Sequence, residues 1–304
     1  MTPISLLLKA MQAGDTRALA RAITCVENEL EGYEELLTSL TFPKPVPVIG
    51  ITGPPGAGKS TLISMLIKAS LEEGKKVGIV AVDPTSPFTN GSLLGDRLRM
   101  AEHFTNEQVF IRSLATRGAL GGLSAKSIEV TDVMRSFGFD LLILETVGVG
   151  QSEVEIAGLA DISILVLVPE AGDEVQTLKA GIMEIADIFV VNKSDRDGAD
   201  LFVKNLLSLV ASKHDLDIPV IKTSATKGEG MNELKEAIFK QWGARTKSKR
   251  KLLLTEKVYR LLAEVRMRGV SKPLLEKLLQ NEIEKPDFNI YRFVKDFPDP
   301  PPSS

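Results

Sequence analysis

The chain has 304 residues, 43% of them apolar and 25% charged, and carries a formal net charge of -3. These values suit a globular chain with one sizeable core and a small appendage, and they offer no basic field to hold nucleic acid. A single cysteine, Cys25, excludes an internal disulfide framework and a cysteine-cluster metal site, and the two histidines, His103 and His214, lie far apart in the chain. The N-terminus lacks the cationic stretch and apolar segment of a secretory signal, and no apolar run approaches the roughly 20 residues of a membrane span. A cytoplasmic location, without membrane or nucleic-acid partners, is the expectation.

Residues 1–42 read as a helical arm. Leu6, Leu7, Leu8 and Met11 form one apolar stripe, and Asp15 after Gly14 suits the N-cap of a second helix through Leu19, Ala22, Ile23 and Val26. A third is predicted from Glu29 to Leu40. Pro43, Pro45 and Pro47 then mark a boundary. From Val46 to Thr52 the chain turns apolar and β-like, and Leu62 to Glu72 returns to helical spacing.

Further strands are predicted over Lys76–Val82, Val109–Arg112, Asp140–Leu144, Ile162–Val168, Ile188–Val191 and Pro219–Lys222. Helices are predicted over Ser124–Phe137 and Met231–Trp242, and a polar loop over Ser86–Arg97. Strands that are near-continuous apolar runs, alternating with helices, imply an α/β fold: a mostly parallel central sheet with helices on both faces. Ligands of such sheets lie beyond the carboxyl ends of the strands, where the polar motifs fall. After residues 43–243, the segment 244–304 opens on a basic run, Arg245–Lys251, that reads as a solvated hinge. It continues in a helix through Leu252, Val258, Leu261, Leu262 and Val265, and another over Lys272–Gln280. So small a helical pair cannot bury its own apolar stripe and must dock on its own domain or on another copy, with dimerisation the expectation. The Pro-rich end, Pro298–Ser304, is expected to be disordered.

The stretch Gly53-Pro54-Pro55-Gly56-Ala57-Gly58-Lys59-Ser60-Thr61 matches G-x-x-x-x-G-K-[ST] between a predicted strand and a predicted helix, the context a phosphate-binding loop requires. Glycines let backbone N–H groups point inward, and the helix N-terminus adds partial positive charge. Lys59 is expected to reach the β- and γ-phosphates, and the Ser60 hydroxyl a Mg²⁺ ion. Asn192-Lys193-Ser194-Asp195 closes another strand. A carboxylate at Asp195 accepts from guanine N1–H and the N2 amine, whereas adenine would leave that charge unpaired. Asn192 is placed to contact the other edge of the base and tie loops together, Lys193 to lie over the base, and the stretch Thr223-Ser224-Ala225 to offer guanine O6 a backbone N–H. GTP is therefore the expected nucleotide.

Asp83 and Glu145 also end strands, where carboxylates serve Mg²⁺ and the γ-phosphate. Glu145 is followed by Gly148, able to donate its N–H to the γ-phosphate, and by Gln151, a second candidate beside Asp83 for positioning the attacking water. Arg112 and Arg117 are candidates for charge stabilisation or partner sensing, with a surface ion pair the commoner use of such residues.

Together Gly53–Thr61, Val82–Pro87 with Gly95-Asp96-Arg97, Arg112–Gly122, Glu145–Glu153, Pro169–Lys179 and Asn192–Asp195 resemble the MeaB/ArgK group, bacterial relatives of the human methylmalonic aciduria type A protein. The resemblance spans nearly the whole chain. It implies a homodimeric GTPase of the metallochaperone group, within the SIMIBI class, converting GTP and water to GDP and phosphate. The implied partner is an adenosylcobalamin-dependent methylmalonyl-CoA mutase or related acyl-CoA mutase, whose cofactor loading from an adenosyltransferase is gated and whose activity is protected. The family's Mg²⁺ and catalytic acids map onto Asp83, Asp96 and Glu145, its phosphate-loop lysine and hydroxyl onto Lys59 and Ser60, and its third mobile segment onto Pro169–Lys179, where Lys179 is a candidate for partner coupling. No cobalamin-binding D-x-H-x-x-G pattern is present, so the cofactor is assigned to the partner. The competing readings are nickel delivery, for which one cysteine and two histidines make a poor metal store, and a kinase of an amino-acid transport component, a label attached to the ArgK branch.

Overall fold

Alternating apolar runs become a sheet because each can be covered on two sides. The computed structural model describes residues 3–83, 100–115, 125–146, 156, 158–171, 186–213, 218–244, 247–267, 269–285 and 288–297. Seven strands are present among them: β1 (Val48–Thr52), β2 (Val77–Asp83), β3 (Val109–Ala115), β4 (Leu141–Thr146), β5 (Ile162–Leu167), β6 (Ile188–Val191) and β7 (Val220–Lys222). All neighbouring pairs are parallel, in the order β3-β2-β4-β1-β5-β6-β7. Every residue of β1 and β5 is buried, as strands covered on both faces must be. β1 sits between β4 and β5, so its carboxyl end opens at the middle of the sheet's ligand edge.

The arm folds as α1 (Ile4–Gln12), α2 (Thr16–Glu27) and α3 (Tyr33–Thr38). Asp15 caps α2 by accepting from the backbone N–H groups of Arg17 and Ala18. The third helix is shorter than predicted. Glu29 and Gly32 both adopt positive φ, 49° and 87°, which a right-handed helix cannot include. Leu19, Ile23 and Val26 are fully buried, and α2 packs on α5 (Ala125–Phe137). At about 1.5–3 kcal/mol for each such side chain, this packing holds the arm to the sheet.

The helix after β1 is α4 (Lys59–Glu72). Its Leu62, Ile63, Leu66 and Ile67 share a core with Ile49, Ile51, Ile143 and Ile164, and with Leu234 and Ile238 of α7 (Met231–Gly243). The opposite face of β5 and β6, through Leu165, Leu167, Phe189 and Val191, is covered by Leu206 and Val210 of α6 (Ala199–Lys213). No element was predicted between Asp195 and Pro219. The spacing of Phe202, Leu206, Leu209 and Val210 does carry a helical period, and α6 supplies the second layer that the buried strands demand.

A 3₁₀ turn, Ala101–His103, docks on α4. His103 is 4% exposed, its Nε2 lying 2.8 Å from the Ser64 hydroxyl, which donates to Glu102 at 2.5 Å. Burial pushes the His103 imidazole below its ordinary range, outweighing the attraction of Glu102. A depressed histidine pKa means that the unfolded chain binds the proton first. Stability is therefore expected to be full above the unfolded value near 6.5 and to fall as pH drops below it. His103→Gln should flatten that slope in melting temperatures taken across this range, and an unchanged slope would assign the loss to other groups.

Chain contacts divide the molecule into Met1–Arg250 and Lys251–Ser304. Helix α8 (Lys247–Met267) starts inside the basic run rather than after it, followed by α9 (Lys272–Glu282) and α10 (Ile290–Lys295). In the second unit Leu252, Val258, Tyr259, Leu262, Val265, Tyr291 and Val294 are all more than half exposed. No helix of the described residues is long and apolar enough to cross a membrane.

Candidate nucleotide site

The loop from β1 to α4 is shaped by its glycines. Gly53 has φ 145°, and a Cβ there would lie 2.1 Å from the Val166 carbonyl oxygen, so only glycine lets the loop leave β1 against β5. Gly58, at φ 85°, presses on the Asn192 amide, and a Cβ would lie 2.5 Å from its Nδ2. Pro54, Pro55 and Gly56 form the outward rim of the loop, while Ala57 is buried. Lys59 is 9% exposed, and its Nζ donates to the Gly53 and Pro54 carbonyls at 2.7 and 3.2 Å. The ammonium is thus folded over the loop that it is expected to serve. Ser60 donates its hydroxyl hydrogen to Glu145 Oε1 at 2.9 Å, both side chains being buried. Thr61 follows in the first turn of α4, whose leading N–H groups have no partner within the helix.

Asn192 is the fastener between loops. Its Nδ2 donates to the Ala57 carbonyl at 2.8 Å, and its Oδ1 accepts from Thr223 Oγ1 at 3.1 Å and from the Ala225 N–H at 3.2 Å. Lys193 adopts φ 55° and donates from Nζ to the Gly56 carbonyl at 2.7 Å. A left-handed non-glycine residue costs of order 1 kcal/mol, and here it turns the lysine onto the phosphate loop.

Asp195 is held at both oxygens: Ser224 Oγ donates to Oδ1 at 3.0 Å, and Lys227 Nζ lies 3.3 Å from Oδ2. The Ser224 hydroxyl foremost, then a backbone N–H and Lys227, hold the Asp195 carboxyl below the usual carboxylate range. It is an anion at neutral pH, as the reading of guanine requires. The backbone N–H groups of Thr223, Ser224 and Ala225 donate to Val191 O, Glu229 O and Asn192 Oδ1. The contribution of this stretch visible in the structure is therefore orientation, with Ser224 aiming the carboxylate. Lys227 was not singled out from the sequence. Its only signal there is a cation two residues beyond Ala225.

Register aligns the acidic strand ends. Glu145 pairs with Ala81 and with Ile51, which places it between β2 and the strand leading to the phosphate loop. Asp83 closes β2 opposite Ala115 of β3. Arg112 does not face this edge as a free cation: it forms an ion pair with Glu27 and donates to Thr24 Oγ1 at 3.3 Å. Asp96, Arg117, Gly148, Gln151 and Lys179 lie outside the described residues, as do the Ser86–Arg97 loop and Pro298–Ser304.

A parallel sheet with a phosphate loop after its central strand, an acid beside that loop and N-K-x-D fastened to it defines the class: a P-loop GTPase. The chain belongs to the MeaB family, whose model, described as methylmalonyl Co-A mutase-associated GTPase MeaB, matches residues 19–281. A Pyrococcus horikoshii protein named as a GTPase is 46% identical over 289 residues, covering 91% of each chain. The mouse methylmalonic aciduria type A homolog is 37% identical over 253 residues, covering 75% of this chain and 60% of that protein. A crystal structure described as an LAO/AO transport system kinase superposes with a TM-score of 0.68 at 28% identity, covering 92% of this chain and 87% of that one. The chain is a GTPase and binds guanine nucleotide.

Proposed function

We propose that this GTPase is a chaperone of an adenosylcobalamin-dependent acyl-CoA mutase, methylmalonyl-CoA mutase or a relative, and that GTP hydrolysis gates cofactor loading from an adenosyltransferase and protects the mutase. The observation that carries this reading is the match of residues 19–281 to a family described by its association with that mutase. The more than half-exposed apolar residues of the C-terminal unit suit a homodimer, since helices of this size need a partner surface.

Within the site, we assign Gly53–Thr61 to the phosphates, with Lys59 reaching the transferred group. Asn192, Lys193, Asp195, Ser224 and Ala225 serve the base, and Gly148 the γ-phosphate. The hard oxygen donors Ser60 and Glu145, buried at 2.9 Å from each other, fit a Mg²⁺ ion, with Asp83 and Asp96 completing the donor set. When bound, that ion would neutralise charge on the phosphates. Asp83 positions the attacking water, with Gln151 as the alternative. Calorimetric titration of a purified mutase with this protein, with GTP, GDP or no nucleotide, should give nucleotide-dependent binding and a partner-stimulated hydrolysis rate. Absence of binding under all three conditions would rule the partner class out.

A second reading is favoured by the similarity to the structure described as a transport system kinase. Incubation with γ-labelled GTP and amino-acid-binding transport proteins separates the two. Label in phosphate alone supports the GTPase chaperone, and label on protein supports the kinase.

A further inference from the structure

Arg112 belongs to a motif that neither the base site nor the phosphate site uses. It lies on β3, which among the described residues is an edge strand beside β2. Its guanidinium donates to Glu27 and to Thr24 Oγ1 on α2, and the two charged side chains are 23% and 14% exposed. Thr24 is itself oriented, its hydroxyl donating to the Ala20 carbonyl at 2.9 Å. Toward the start of α2 an open groove of about 610 Å³, lined by Arg17, Ala20, Phe104 and Phe110, separates the helix from the beginning of β3. Among the described residues, the polar grip of α2 on the strand falls at Arg112, the middle residue of β3.

Register links that position to the edge of the sheet where the site lies. Arg112 pairs with Val80 of β2, and three residues on, Ala115 pairs with Asp83. On the other side of β2, Ala81 pairs with Glu145 of β4. β4 is enclosed by β2 and β1, whereas β3 has, among the described residues, a strand on one side alone. We propose that Glu27 and Arg112 are a positioning pair for GTP hydrolysis: the arm braces β3 and, through the β3–β2 ladder, holds the end of β2, where Asp83 stands, beside the Glu145 end of β4. The proposal rests on the reading of Asp83 as the water-positioning acid.

A second ion pair supplies the comparison. Lys126 of α5 joins Glu29 at 2.9 Å and Glu129 at 2.7 Å and lies 5.1 Å from the Tyr33 ring centroid. It fastens the same arm, and these partners belong to the arm and to α5 itself. If the arm acts only as packing, loss of either pair should lower stability alike and leave turnover alone.

The test uses the full chain, with single-turnover GTP hydrolysis, fluorescent GTP-analogue affinity and melting temperature measured side by side. Glu27→Gln should lower turnover about tenfold, because small misplacement of a catalytic group is amplified in rate, with affinity held within about twofold. Lys126→Met should lower the melting temperature and leave turnover within about twofold. The exchanged pair Glu27→Arg with Arg112→Glu should recover turnover lost in either single change. Adding Glu27→Gln to Asp83→Asn should produce no further fall. Equal turnover in Glu27→Gln and the unmodified protein, or an undiminished effect in the Asp83→Asn background, overturns the brace while leaving the site assignment standing. Normal turnover in Asp83→Asn itself overturns both.

Discussion

Lys59→Ala should reduce GTP turnover by about 100-fold or more and weaken nucleotide binding, because it removes the cation aimed at the charge that develops on the transferred phosphoryl group. The structure explains why Lys193, which also touches the loop, does not replace it. Lys59 is 9% exposed and its ammonium is held by the Gly53 and Pro54 carbonyls, so the charge is fixed over the loop and shielded from bulk water. A charge in such a site acts through a lower dielectric than one on the surface. Lys193 donates to the Gly56 carbonyl and is anchored from the base side. It cannot take over without breaking the left-handed backbone at φ 55° that places it there. Stopped-flow phosphate release checks the prediction, and near-normal turnover would sink the phosphate-loop assignment.

Asp195→Asn should lower GTP affinity by at least about 3 kcal/mol, over 100-fold, since two charge-assisted hydrogen bonds are each worth roughly 1.5–3 kcal/mol. The direction of the change follows from donor and acceptor chemistry. An amide offers one acceptor and one donor, whereas guanine presents two donors on that edge. Xanthine carries a carbonyl where guanine has its amine, so xanthine nucleotides should gain as GTP loses. The Ser224 hydroxyl donates to Oδ1 at 3.0 Å and favours the amide oxygen there, while the ion pair with Lys227 at the other oxygen is lost. Competition between GTP and XTP for the variant reads the outcome. An unaltered preference for GTP would refute the base-reading role of Asp195.

Much of this molecule could be read along the chain. A phosphate loop is a local object, set by glycine conformations and one lysine within nine residues, Gly53–Thr61, and its chemistry is legible wherever a strand precedes it and a helix follows. The same holds for the Asp15 cap and for the buried strands, whose near-continuous apolar runs demanded helices on both faces. Where boundaries slipped, local backbone was responsible: positive φ at Glu29 and Gly32 shortens α3.

The chain alone did not disclose how these local pieces are fastened. Asn192 bonds to Ala57 across a sequence separation of 135 residues, and Ser60 to Glu145 across 85. Such contacts depend on the order β2-β4-β1-β5-β6, which brings distant strand ends side by side and which no periodicity encodes. The fate of Arg112 shows the same limit. By residue type it suited phosphate charge as well as a carboxylate. Only the packing of α2 beside β3 decided for Glu27, because an ion pair shielded from solvent by two docked elements is a property of their juxtaposition and of neither segment by itself.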